Sequence, residues 1–333
     1  MTLSFGAERE CPPEDFASTV EGISATIESV IEGKAEVVRL MLAVLLAEGH
    51  VLLEDVPGVG KTMLAKALAR SVDCSVSRIQ FTPDMLPSDI TGVTAYVRDT
   101  GEFEFKPGPV FANIVLGDEI NRAPSKTQAA LLECMEERQV TVDGTTHPLE
   151  RPFMVIATQN PLDMEGTYPL LESQRDRFMA RTRIGYPTPD AELAMLDTHS
   201  ASSPQDTLTP AASASEVRAL VRAARDVYVS EAVREYAVNF VSATRTHPRL
   251  RLGASPRATL HLVRACRAWA ALDGRGYVIP DDIQALAEPV LAHRLLPTAE
   301  AGAVLTELTD QLRLPPASTA NRHLRREHGR RYY

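Results

Sequence analysis

Seven consecutive residues, Pro57-Gly58-Val59-Gly60-Lys61-Thr62-Met63, have the composition that phosphate binding requires. Gly58 and Gly60 lack a Cβ, so the backbone there can take dihedrals closed to other residues and aim several N–H groups at one oxyanion. Lys61 adds a mobile positive charge for β and γ phosphates, and the Thr62 hydroxyl is a ligand for Mg²⁺. Asp55 stands where the motif as usually written has glycine, but the residues that would touch phosphate are all kept. A second candidate pair, Asp118 and Glu119, closes the apolar run Ile114-Val115-Leu116. Adjacent carboxylates at the end of a buried strand suit two tasks: Asp118 holds Mg²⁺ through its water shell, and Glu119 polarises an attacking water.

These residues need a scaffold, and the flanking patterns supply one. Val51 to Leu53 is a short apolar run that enters the glycine-rich loop and then a helical pattern, the strand, loop and helix order of a phosphate-binding loop. Ser75 to Phe81 alternates as a second strand, and Phe153 to Ala157 is a buried strand running into the polar cluster Thr158-Gln159-Asn160. Two hairpins are predicted, one from Tyr96 to Phe105 turning at Asp99-Thr100-Gly101, the other from Val140 to Thr146 turning at Asp143-Gly144. Upstream, Ser18 to Glu32 and Lys34 to Ala47 have helical periods. Ile31, near the end of the first, has two readings, adenine-pocket lining and helix packing. The sum is an α/β domain: a parallel sheet between helical layers.

From about Gly185 the composition changes. Tyr186 to Pro189 reads as a linker and Ser200 to Ser215 as a loop. Helical periods alone follow, over Glu216–Val227, Ser230–Thr246, Pro256–Leu272 and Pro280–Leu295, forming a small helical lid with Trp269 and Tyr277 as core residues. Expected boundaries are a leader at 1–20, the α/β core at 21–185, the lid at 186–314 and a basic, disordered tail at 315–333.

Composition excludes several classes. With 35 basic and 44 acidic side chains, the formal charge of −9 disfavours a general nucleic-acid binder. Cysteines 11, 74, 134 and 266 show no metal or redox spacing. Val37 to Leu46, cut by Arg39, is too short to span a bilayer, and the N-terminus has no secretory pattern. A cytoplasmic protein without membrane insertion is the expectation.

The run Gly117-Asp118-Glu119-Ile120-Asn121-Arg122-Ala123-Pro124-Ser125-Lys126-Thr127-Gln128, with Leu131-Leu132-Glu133 and Met135-Glu136-Glu137 after it, resembles the MoxR family of AAA+ ATPases, relatives of magnesium-chelatase ATPase subunits. Glu48 to Thr62 is similar to the same family, including its Asp-Val-Pro variant of the phosphate loop, and the resemblance runs from about Val30 to Leu296. It implies an AAA+ P-loop NTPase domain followed by an all-α lid, with ATP and Mg²⁺ as cofactors. It also implies that Asn160 is the first sensor, that Arg177 in Gln174-Arg175-Asp176-Arg177-Phe178 is the arginine finger serving an adjacent subunit, and that Arg257 is a second sensor touching its own subunit's nucleotide. Arg175 competes with Arg177 for the finger role, and Glu172 and Asp176 are possible partners for both. The implied activity is ATP hydrolysis in a hexameric homo-oligomer that remodels partners, among them proteins with a von Willebrand factor A domain. A small-molecule kinase and a non-hydrolysing scaffold are the alternatives; a kinase should show an acceptor pocket, and a scaffold should lack Glu119 or Arg177.

Overall fold

A computed structural model describes residues 14–31, 33–56, 58–99, 101–160, 167–189, 192–193, 208–297 and 300–312. Pro57, the basic tail, most of the leader and residues 200–207 of the expected loop lie outside them. Two helices come first, α1 (Glu14–Glu28) and α2 (Ala35–Leu46). The α1 helix begins inside the stretch expected to be leader, because Phe16 and Val20 continue its buried stripe.

The sheet has five parallel strands: β1 (Val51–Glu54), β2 (Val76–Gln80), β5 (Ile114–Asp118), β8 (Met154–Gln159) and β9 (Ala180–Thr182), in the order β2-β5-β8-β1-β9. The central strands are apolar on both faces because both are covered. Val51, Leu53, Ile114 and Leu116 pack with α1, α2 and α3 (Lys61–Ser71), while Leu52 and Val115 pack with Phe81, Leu131 and Leu132 on the other side, the last two from α5 (Ser125–Glu137). Outside this sheet lie the short α4 (Pro87–Thr91) and the two expected hairpins, β3 (Gly92–Val97) with β4 (Glu102–Pro107) and β6 (Gln139–Val142) with β7 (Thr145–Pro148). Asp143 and Gly144 both have positive φ (49° and 79°), the twist a two-residue hairpin turn needs.

After α6 (Glu172–Arg175) and β9 comes the lid, with α7 (Ala214–Asp226), α8 (Glu231–Thr246), α9 (Pro256–Leu272), α10 (Pro280–Leu291) and α11 (Ala301–Gln311). Three expectations need correction here. The lid is not wholly helical: β10 (Leu250–Leu252) pairs antiparallel with β11 (Leu296–Pro297). A fifth helix, α11, follows the four expected. Trp269 and Tyr277 are only partly buried, and the Arg39 guanidinium of α2 stands 4.1 Å from the Trp269 ring centre. The lid shares one apolar core with α2 and α3, so it is packed onto the α/β domain. Among the described residues no helix is long and apolar enough to cross a membrane.

Candidate functional site

Three loops leave the sheet at one edge, following β1, β5 and β8, and their register brings the candidate residues together. Glu54 is level with Gln159, and Gly117 with Ala157, so the phosphate loop, Asp118-Glu119 and Asn160 converge at the C-terminal ends of adjacent strands. They line a cleft of about 400 Å³, with Gly58, Gly60, Lys61, Thr62 and Met63 on one wall and Asp118, Glu119 and Asn160 on the other. That volume is within the range of small-molecule sites. Gly58 (φ 85°) and Gly60 (φ 91°) both occupy the left-handed region, and Gly60 caps α3. The cleft therefore meets a helix N-terminus, where an anion is stabilised.

Inside the cleft the side chains are tied down. Thr158 Oγ1 donates to Asp118 Oδ1 (2.7 Å) and accepts from the Glu119 N–H (2.9 Å). Asp118 Oδ2 accepts from Arg78 Nη2 (2.8 Å), and Glu119 Oε2 accepts from Gln80 Nε2 (3.1 Å) and Arg122 Nη1 (3.2 Å). Lys61 Nζ donates to the Asp55 carbonyl (2.9 Å), which holds it at the mouth of the loop. Asn160 is 6% exposed at the end of β8. Ile31 is buried, with its Cδ1 3.9 Å from where a Cβ on Gly60 would stand, so it packs beside the phosphate loop; that contact is compatible with either reading of it.

Thr62 and Asp118 offer oxygen to a hard cation, and Lys61 and the loop N–H groups offer positive charge to phosphate, a donor set that fits Mg²⁺ bound jointly by protein and nucleotide.

Sequence reasoning missed several participants. Arg78 and Gln80 alternate along β2 and so share a face; that period of two was the signal available for them. Asp55, noted only as a departure from glycine, accepts the N–H groups of Ile184 and Gly185 through Oδ2 (2.7 Å each), binding the start of the phosphate loop to the segment that leads to the lid.

Arg177 and Arg257 do not line this cleft. Both line a second cavity with Glu48, His50, Glu136 and Arg138, at the opposite edge of the sheet. Arg177 precedes β9, whose Ala180 is level with Val51 at the start of β1, whereas the phosphate loop leaves the far end of β1. The strand alone separates the two by about 10 Å. Arg177 Nε lies 3.1 Å from Glu136 Oε2, and Arg257 pairs with the same carboxylate. Arg257, expected to touch its own chain's nucleotide, stands away from its own cleft in this structure. Ser255, which caps α9, donates to both oxygens of Asp176 (2.9 Å) and docks that helix start at the wrong edge. Arg175 pairs with Glu172 at 3.7 Å and is absent from the second cavity, while Asp176 turns to the lid.

With this geometry in hand, comparison with known proteins is informative. Residues 50–180 match the family described as "ATPase family associated with various cellular activities (AAA)", and residues 242–312 match the AAA lid domain. The chain is 50% identical to the uncharacterized protein YeaC of Bacillus subtilis, over 89% of this chain and 95% of that protein. It is 43% identical to Chaperone MoxR1 of Mycobacterium tuberculosis, over 88% and 81% of the two chains. The crystal structure of a candidate ATPase from Cytophaga hutchinsonii superposes with a TM-score of 0.84 at 36% identity, covering 90% of this chain and 96% of that one.

Proposed function

The chain belongs to the MoxR family of AAA+ ATPases, and from that premise we propose that it hydrolyses Mg·ATP at the subunit interfaces of a hexameric ring to remodel or activate partner proteins. In this reading Pro57 to Met63 cradle the phosphates, Ile31 borders the base, and Thr62 and Asp118 hold Mg²⁺, which when bound shields charge on the β and γ phosphates. Glu119 orients and deprotonates the attacking water, and Asn160 donates to the γ phosphate. The core, first expected at 21–185, is assigned to residues 14–185 so as to include all of α1, and the lid to 186–314.

The observation that carries the proposal is the separation of the cleft from Arg177 and Arg257. Lys61 is the cation the loop supplies and Arg78 is turned to Asp118, whereas the charge spread over the equatorial oxygens of the γ phosphoryl group suits a further guanidinium, and neither Arg177 nor Arg257 stands at its own cleft. Placed head to tail, one chain's arginine edge meets the next chain's cleft, a heterologous contact of the kind that closes into rings. We assign both arginines to the neighbour's site. The name of the mycobacterial chaperone supports a remodelling role, and the family resemblance points to partners with a von Willebrand factor A domain and to a cytoplasmic setting.

The test mixes two inactive variants. Lys61→Ala chains lack a working cleft but keep Arg177, and Arg177→Ala chains are the converse. Random assembly of a one-to-one mixture pairs an intact cleft with an intact arginine at about a quarter of interfaces, so turnover should return to roughly that fraction. No recovery in mixtures shown to co-assemble would contradict catalysis across the interface.

A further inference from the structure

We infer that Arg294 is a positioning residue for this chemistry: it fastens the lid to the loop carrying Arg177, so that the lid sets where that guanidinium lies in the neighbouring subunit's site. The inference rests on the assignment of Arg177 to the neighbour.

Arg294 ends the turn Ala292–Arg294 that follows α10, and it is 3% exposed. Its guanidinium brackets Arg177 along the chain. On one side Nη1 forms an ion pair with Asp176 Oδ1 at 3.2 Å, and on the other Nη2 donates to the Phe178 carbonyl at 2.6 Å. The same Nη2 stands 2.7 Å from His261 Nδ1, which must be the acceptor because a guanidinium has only donors. His293 Nε2 lies 3.0 Å from the same Phe178 carbonyl. Ser255 adds its hydroxyl to Asp176. The residues on either side of Arg177 are thus held by three side chains of the lid, Arg294 and His293 from one turn and Ser255 from one helix start.

A buried ion pair contributes little net stability compared with apolar residues of the same volume, because each charge is stripped of water. The guanidinium does impose direction: Nη2 donates to the Phe178 carbonyl while Nη1 stands beside Asp176 as a charge contact without a hydrogen bond, and a planar group meets both in one orientation only. Burial lowers the Arg294 pKa to about 10 and Asp176 opposes that shift, so the guanidinium stays charged at neutral pH. Arg177 itself is a third exposed and among the described residues its side chain pairs with Glu136, so its backbone is fixed while its tip remains at the surface. A displacement of the lid would carry this loop with it, and errors of an ångström in a transition-state contact are costly.

Arg294→Lys keeps the charge but cannot span both acceptors. In a preparation that assembles like the parent, kcat should fall about ten- to a hundredfold with ATP affinity unchanged within about twofold. Amide exchange over residues 174–179 should quicken, and Lys61→Ala chains, whose own Arg294 is intact, should restore turnover on mixing. An undiminished kcat, or ATP affinity lost in step with kcat, overturns the inference. Arg177→Ala run in parallel keeps the two readings apart. Its rescue without rescue of Arg294→Lys leaves interface catalysis standing and removes the positioning role, whereas failure of its own rescue removes the underlying assignment. Should Arg294→Lys not fold, Ser255→Ala is read by the same exchange and kcat measurements; it should show a smaller loss of the same kind, and no change in either would also overturn the inference.

Discussion

Glu119 occupies a left-handed backbone conformation, φ 59° and ψ 52°, that a non-glycine residue adopts at a cost of order 1–3 kcal/mol. The surrounding bonds sustain it: its N–H is bound by Thr158, its carboxylate by Gln80 and Arg122, and the turn Ile120–Arg122 starts from it. Strain of this kind aims a side chain where a relaxed strand end would not. Glu119→Gln preserves size and the bond to Arg122 while removing the base. Turnover should drop about 10²- to 10⁴-fold, the range for a general base, with nucleotide affinity within a few-fold of the parent. A steady-state rate paired with a fluorescent-nucleotide titration decides it, and a variant that keeps a tenth or more of the parental rate would remove Glu119 from that role. At this scale the phosphate loop and the acidic pair were legible because each side chain acts through its own chemistry. Asp55 was not, since its partners, Ile184 and Gly185, are 129 and 130 residues away and follow an edge strand whose pairing no local pattern announces.

Among the elements, the β3–β4 hairpin shows how close contact substitutes for a core. Its outer residues are exposed, Phe103 most of all at 74%, so little apolar burial fixes it to the domain. It is held at its base, where Gly92 and Gly108 lie back to back. A Cβ on Gly108 would stand 2.2 Å from the Ile90 carbonyl and 2.5 Å from the Gly92 nitrogen. Gly108→Ala should therefore force the two backbones apart and lower stability by about 1–3 kcal/mol in denaturant titration, while ATP affinity is unaffected because neither glycine lines the cleft. Equal stability of the two proteins would contradict the packing argument. The hairpins themselves were readable from their turn residues and alternation. The β10–β11 pair was not, because three residues carry no measurable period and Leu250 finds its partner at Pro297. Nor was the partial burial of Trp269, which packs against the core on one side while the neighbouring layer presents Arg39.

Across the whole molecule, the cleft stands at one edge of the sheet and Arg177 and Arg257 at the other, where the core meets the lid. That joint is polar. Glu48, 8% exposed and in a left-handed conformation, bonds Arg138 and pairs with Arg151 of the core and Arg225 of the lid. Around it sit three buried histidines held neutral. Burial first, then Arg138 and Arg264, bring His50 down to about 3; burial, then Arg294 and Arg264, with His50 and Arg257 beyond, bring His261 to about 2. His293 is well below 6.5 through burial, then Arg294, Arg181 and Arg175. The Met135 carbonyl at His50 and the Phe178 carbonyl at His293 favour the proton, but burial outweighs them. Unfolded histidine takes its proton near 6.5, so across acidic pH the unfolded chain binds more protons than the native one. Stability should be nearly full at pH 7.5 and decline as the pH falls through 6.5 towards the folded values, each histidine contributing up to about 1.4 kcal/mol per pH unit. Denaturant titrations at pH 7.5, 6.5 and 5.5 should lose about 1 kcal/mol over the first interval and about 3 kcal/mol over the second. A curve flat down to pH 5.5 would mean that these rings take up protons without disturbing the joint, and that the lid is held by its apolar core with α2 and not by the charged contacts around Glu48.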